Sequence, residues 1–401
     1  MKVLVLNSGS SSIKFALQDL STHTTLASGL IEQIGETHSH DKIKFFDSMG
    51  EQKSSEHFDT IPSHKEGMDR VERLLMDSGL ISSFEELDGV GHRVVHGGEK
   101  FYAPTLINQE VLEDIKQVAS LAPLHNPANI LGIEVARKRA LEVPNVAVFD
   151  TAFHHSMPPS AYMYALPFEW YEKHSIRRYG FHGTSHFFVA KECARLLDKP
   201  LSKCNLITLH LGNGASACAI KQGKSVDTSM GLTPLEGLMM GTRSGDIDPA
   251  IHHYIHQKEG MSLEEINSIL NKKSGFSGVC GENDLREIIQ KVQAGEKSAK
   301  LAIDIYTYRI KKYIGSYIAS LNGADAIVFT GGIGENASLV RELVCKDLEF
   351  LGVELDSDKN SLSTKEARFI SSDKSRVKVA VIPTNEELEI ALQTKEVIES
   401  L

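Results

Sequence analysis

Residues 4–17 read LVLNSGSSSIKFAL, and residues 207–220 read ITLHLGNGASACAI. Each stretch runs an apolar strand into a polar residue and a glycine-bearing tip of small residues, then returns as a second apolar run. The plainest reading of either is a β-hairpin. The first tip also offers backbone N–H groups, serine hydroxyls and Lys14, the donors and charge that hold a phosphate. Its spacing departs from the P-loop pattern, so both readings stand for that tip taken alone. Two echoing tips far apart in one chain are what a duplicated core would set on opposite sides of one cleft.

Working outward, KVLVLN, VAVFDT, NLITLHLG, ADAIVFTGG and VKVAVIPT are short Val/Ile/Leu-rich runs separated by helical patterns. That alternation makes the chain an α/β protein. Ser63 with Glu66 predicts a capped helix start, Gly79 its end, and Thr384 with Glu387 the start of the last helix. A third glycine element, FTGGIGEN, is predicted to turn toward the N-terminus of a helix at ASLVRELV, where nucleotide groups are held. The polar stretch of residues 38–60 reads as a hairpin or a surface excursion, not a linker, and is assigned no chemistry.

The chain has 401 residues, 41% hydrophobic and 24% charged, enough for two or three domains with cores of their own. A formal net charge of -10 disfavours nucleic acid and anionic membrane as partners. The apolar run at residues 3–6 is too short for a signal-peptide core, and no segment approaches a membrane span. A cytoplasmic location is therefore expected. The five cysteines include no C-x-x-C pair and read as reduced thiols. The histidine clusters HSH, FHHSM and IHHYIH read as scattered residues, not ligands.

Some charged residues stand out from their surroundings. Arg93 sits among Gly, Val and His, and Arg243 follows GLMMG; each is either a clamp for carboxylate or phosphate or a structural arginine. For Arg243 the structural partner would be Asp246 or Asp248. Asp150 closes a strand, where α/β folds meet ligands. His182 is a core histidine or a site residue. Glu386 either complements a helix dipole or holds a metal.

LNSGSSSIKF, GHRVVHGG, PLHNPAN, VFDTAFH, RYGFHGTSH, HLGNGAS, DTSMGLTPLEGLMMGTRSGDIDP, FTGGIGEN and PTNEE occur in that order from residue 3 to about residue 390. With them the chain resembles the acetokinase family, within the superfamily of acetate and sugar kinases, heat-shock ATPases and actin. The resemblance implies two actin-like, ribonuclease H-like domains with duplicated βββαβαβα cores and a cleft between them. The first would span residues 1–150 plus the last helix, 385–401. The second would span 151–384, with most of the nucleotide site and the dimer interface.

The implied reaction is reversible transfer of the ATP γ-phosphoryl group to acetate, giving acetyl phosphate and ADP. Magnesium, or manganese in its place, would be the metal. Arg93, Asp150, His182 and Arg243 match the catalytic set, and Asn7 and Glu386 the metal positions. Arg93, Val95, Leu124, His125, Phe181 and Pro234 match the acetate positions. For the nucleotide the matches are Lys14; His210, Leu211, Gly212, Asn213 and Gly214; Asp284, Leu285 and Arg286; and Gly332, Ile333, Gly334, Glu335 and Asn336. A homodimer is implied as well. The alternatives are a propionate or other short-chain acyl kinase and, in a different class, a non-catalytic nucleotide switch.

Overall fold

The structure is a computed structural model that describes residues 1–47, 49–123 and 125–401. It divides into two compact units, Met1–Ala152 with Asn385–Leu401, and Phe153–Thr384.

The first unit is built on β1 (Lys2–Ser8), β2 (Ile13–Asp19), β3 (Thr24–Glu32), β4 (Ser39–Phe46), β5 (Gln52–Asp59), β6 (Gly89–Val94), β7 (Thr105–Leu106) and β8 (Asn145–Phe149). Their order is β5-β4-β3-β2-β1-β6-β8-β7. β1 pairs antiparallel with β2 and parallel with β6, which runs parallel to β8. The second unit holds β9 (Asn205–Leu211), β10 (Ala215–Lys221), β11 (Lys224–Thr228), β12 (Ala326–Thr330), β13 (Arg368–Phe369) and β14 (Lys378–Val381). Its order is β11-β10-β9-β12-β14-β13. β9 pairs antiparallel with β10 and parallel with β12, and β12 runs parallel to β14.

Without the edge strands β4, β5, β7 and β13, the two sheets share one topology. An antiparallel meander of three strands is followed by two parallel strands on the other side of the first. The two echoing tips are the first hairpins of these equivalent cores. The polar stretch forms the β4–β5 hairpin, one of its two readings.

The first strand shows why its sequence is a continuous apolar run. Val3 and Val5 pack with Ile390 and Ala391 of the last helix, Glu386–Glu399. Leu4 and Leu6 join the cluster of Phe15, Met68 and Leu75 on the opposite face. A strand covered on both sides has no polar face to alternate with. Gly91 lets the last helix approach β6, because a Cβ there would lie 2.8 Å from Ile390 Cγ2. In the second unit the helix Gly183–Leu196 packs on β9 and β12 in the corresponding way.

Local signals were decided by competition between neighbours. Ser63 caps its helix, but its hydroxyl accepts from Lys65 N at 3.1 Å, not from the third residue. At the last helix Asn385 displaces Thr384 as the cap, its amide oxygen accepting from Leu388 N at 3.0 Å. FTGGIGEN is not only a turn: Gly331–Asn336 is itself a short helix before Ser338–Cys345. Gly331, at φ +76°, turns the chain after β12, and the Glu335 carboxylate accepts its N–H at 2.9 Å. Among the described residues no helix is long and apolar enough to cross a membrane. All five cysteines are buried free thiols.

Candidate active site

In the first unit, the ends of parallel strands β6 and β8 bring two opposite charges together. Arg93 Nε donates to Asp150 Oδ1 at 3.0 Å and Oδ2 at 3.2 Å, while Nη2 donates to Oδ2 at 2.7 Å. Asp150 is 1% exposed. Burial pushes its carboxyl above the ordinary value, Arg93 pulls it back, Glu386 pushes it up again, and His125 pulls it down. Burial opposes the Arg93 cation, but Asp150, Glu386 and Glu387 more than compensate and hold it charged.

Glu386 opens the last helix. Among the described residues it has no hydrogen bond or ion pair of its own, so its field is felt at Arg93 and Asp150 without being spent on a partner. Asn7 lies near the end of β1, directly opposite Lys14 on β2. Lys14 is tied by an ion pair to Glu387. His125 stands at the start of the helix Asn126–Arg139. Val95 follows β6 and is half-buried. Leu124 lies outside the described residues.

The second unit gathers the other named residues. His182 caps the helix Gly183–Leu196 in the left-handed conformation, at φ 56° and ψ 24°. A non-glycine residue held there is strained, and such strain concentrates at functional sites. Its ring stacks on His210 of β9, with centroids 4.3 Å apart. A Cβ on Gly214 would lie 3.7 Å from both His182 Nε2 and Arg243 Nη1, so an imidazole and a guanidinium flank the β9–β10 tip.

Arg243 has no carboxylate partner among the described residues. Nη1 donates to Pro234 O at 3.0 Å, and burial lowers its pKa with nothing opposing it. Asp246 instead accepts from Gly237 N at 2.8 Å and Tyr313 Oη at 2.7 Å, and Asp248 accepts from Ala250 N at 2.9 Å. Neither Asp246 nor Asp248 is therefore the partner of Arg243: both are engaged elsewhere. Phe181 is buried, and its carbonyl is bonded to His154 Nε2 at 2.9 Å.

A cavity of about 710 Å³ joins three segments distant in sequence: Gly212 and Asn213, residues 283–286, and the short helix with Gly332, Ile333 and Asn336. Asp284 caps the helix Leu285–Gln293, and the Arg286 side chain and N–H hold its carboxyl down at about 2. Gly334 and Glu335 are not on the cavity wall. The Gly334 carbonyl accepts from Arg341 Nη1 at 2.9 Å, and the Glu335 carboxylate is spent on Gly331 N and, at 3.2 Å, Thr384 N. Leu211, fully buried at the end of β9, is not on the cavity wall either.

The acetokinase family model matches residues 2–392. The chain belongs to the acetokinase family. It is 53% identical over 403 residues to the acetate kinase of Desulfotalea psychrophila, covering 99% of this chain and 100% of that one. Its fold is similar to that of Porphyromonas gingivalis acetate kinase, at 45% identity, TM-score 0.93 and 99% coverage of both chains. It is likewise similar to a propionate kinase from Francisella tularensis, at 46% identity and TM-score 0.91, covering 98% of this chain and 99% of that one.

In this acetokinase the supporting residues were missed from the sequence. Asn126 Oδ1 accepts from His96 N at 3.1 Å and its Nδ2 donates to His96 O at 2.9 Å. Asn129 accepts from Val95 N at 3.1 Å and donates to Ser8 O at 2.8 Å. Together they pin the loop after β6 to the end of β1. The signal was present: two asparagines three residues apart, in the first turn of a helix, share a face. Among the described residues no group of three or more His, Cys, Asp or Glu side chains could hold a metal ion.

Proposed function

We propose that the chain is an acetate kinase, a phosphotransferase that moves the γ-phosphoryl group of ATP to acetate, reversibly, giving acetyl phosphate and ADP. The observation that carries this reading is Arg243, a cation without a carboxylate among the described residues, set with His182 around a glycine-bearing strand tip. A half-buried guanidinium without an anion is costly unless a ligand supplies one.

Acetate is a carboxylate, a class with reference pKa values of about 4, and is already ionised at neutral pH, so the nucleophile needs no general base. The difficulty is bringing one anion onto another, and catalysis must be positioning and charge stabilisation during in-line transfer. Arg93 clamps the carboxylate. Asp150 fixes the guanidinium through the two-point fork, which favours an orienting role over proton transfer. Arg243 and His182 stabilise the equatorial oxygens of the phosphoryl group in flight. The cavity beside Gly212 takes the nucleotide, with Asp284, Leu285, Arg286, Gly332, Ile333 and Asn336 on its wall. A volume of about 710 Å³ suits a ligand of that size.

For the metal, Mg2+ is ordinarily held by one or two carboxylates together with substrate phosphates and water, not by an all-protein cage. A lone Glu386 carboxylate, with the Asn7 amide, fits such a donor set. When bound, the ion would neutralise phosphate charge.

A short-chain alternative has its own support, because a propionate kinase is nearly as similar as the acetate kinases. Val95 is proposed to limit acid length. A methylene is worth only about 1 to 3 kcal/mol, so propionate should react more slowly without being refused. A non-catalytic nucleotide switch would leave Arg243 without a task. A homodimer is proposed too; Leu166, Phe168 and Trp170, each more than 40% exposed, offer apolar surface for it.

The test is hydroxylamine trapping of acyl phosphate with ATP and Mg2+, using acetate, propionate and butyrate. The strongest signal with acetate supports acetate kinase, and the strongest with propionate the alternative. ATP turnover without trapped product overturns both.

A further inference from the structure

His182, Ser216, His186 and Thr208 form one unbroken chain of hydrogen bonds within the second unit. His182 Nδ1 is 2.8 Å from Ser216 Oγ, Ser216 Oγ is 2.8 Å from His186 Nε2, and His186 Nδ1 is 2.7 Å from Thr208 Oγ1. Ser216, His186 and Thr208 are each 0% exposed, so water does not compete for these links. Burial, with His154 and His210 nearby, pushes the His186 pKa well below its ordinary value, and the ring carries one proton.

Each link holds one proton, so the chain has two directions. In the first, Thr208 donates to His186 Nδ1, His186 Nε2–H donates to Ser216, and Ser216 donates to His182 Nδ1. Every proton then has an acceptor. In the second, His182 Nδ1–H donates to Ser216, Ser216 to His186 Nε2, and His186 Nδ1–H to Thr208. The Thr208 hydroxyl proton is then left with no acceptor among the described residues, and an unmade buried donor costs about 1–3 kcal/mol.

We propose that Ser216, His186 and Thr208 are positioning residues that hold His182 neutral, with its proton on Nε2, so that it meets the phosphoryl group as a hydrogen-bond donor. A protonated His182 would need the second direction, and the relay opposes it. The His182 ring is faced by His210, stacked on it and bonded through Nδ1 to Ser185 Oγ at 2.7 Å, and by Arg243 across Gly214, among other groups. With a guanidinium already there, a neutral donor adds directionality without a second buried cation. This part rests on the kinase reading; the proton assignment does not.

The experiment is a long-range ¹H–¹⁵N spectrum of the histidine side chains in the ligand-free full chain at neutral pH, with His182 assigned by its loss in His182→Gln. Both His182 and His186 are expected as neutral rings protonated at Nε2. In Ser216→Ala, His182 should become a mixture of tautomers. Its kcat should fall on the order of 10- to 100-fold, less than the loss of a transition-state donor outright, with KM for ATP and acetate little changed. A charged or Nδ1-protonated His182 in the wild type overturns the proposal, as does an unchanged kcat in a folded Ser216→Ala. If that variant does not fold, the wild-type spectrum decides. Absence of acyl-phosphate formation in the wild type would defeat the kinase reading and leave the tautomer assignment standing.

Discussion

Arg93 and Asp150 meet as a fork, Nε and Nη2 of the guanidinium spanning both carboxylate oxygens at 2.7–3.2 Å. The fork spends one edge of the guanidinium on the protein. On the proposed mechanism Asp150 contributes the direction of Arg93, not a proton, and Asp150→Asn separates the two roles. Loss of a charge-assisted bond of about 1.5–3 kcal/mol should lower kcat/KM for acetate roughly 10- to 100-fold. The pH dependence of kcat should keep its shape. Loss of a pH limb in the variant would restore the proton-transfer role.

Arg243 stands opposite in character, a cation with no carboxylate partner among the described residues. Arg243→Ala should lower kcat on the order of 10² to 10³-fold while KM for ATP changes much less. Lysine, which lacks the planar fork, should recover only part. Equal effects on kcat and KM would instead mark ground-state binding.

The buried histidines give a sign for stability against pH. His92 and His154 are fully buried, and burial lowers both pKa values to about 4. Their unfolded values lie near 6.5, so between those limits the unfolded chain binds more protons than the native one. Their contribution is fully present above pH 6.5 and is lost as pH falls toward 4, with a slope of up to about 1.4 kcal/mol per pH unit for each ring. Urea midpoints measured from pH 7 to 4 should fall through this window. In His92→Gln the fall should be shallower.

Gly91 is where β6 lets the last helix close onto the sheet. Gly91→Ala would drive a methyl group into Ile390 and Thr394, at a cost of about 1–3 kcal/mol of overpacking. The expected result is a lowered unfolding midpoint for the whole first unit. An unchanged midpoint would mean that the helix does not contribute to its stability.

Much of this was legible in the residues. The twin strand tips announced the duplicated core, because a hairpin with small residues at its turn is a local signal. The β4–β5 hairpin was legible only in part, because a polar stretch with few periodic signals reads equally as a surface excursion. Arg93 and Arg243 stood out because a charge among apolar and glycine neighbours has no surface explanation. What escaped were relations that depend on tertiary distance. Asn385 displaced Thr384 as the helix cap because the Thr384 hydroxyl had a partner in Ser185. Glu335 matches a nucleotide position, yet its carboxylate is consumed by backbone N–H groups. Ser216 and Thr208 look like ordinary strand residues until their hydroxyls are seen bridging histidines.

Val95 follows Arg93 by two residues and is proposed to set acid length. In Val95→Ala the ratio of kcat/KM for propionate to that for acetate should rise by roughly 10-fold, the worth of about one methylene. An unchanged ratio would remove Val95 from the specificity account.

The most direct test of the account is acetyl phosphate formation by wild type and Arg93→Ala, followed by hydroxylamine trapping over a range of acetate concentrations. The account predicts strong acetate-dependent product in the wild type. In the variant it predicts a signal lowered by at least about 10² together with a raised KM for acetate, as expected when a buried charge partner of the substrate is lost. Undiminished product from Arg93→Ala, with an unchanged KM for acetate, would contradict it.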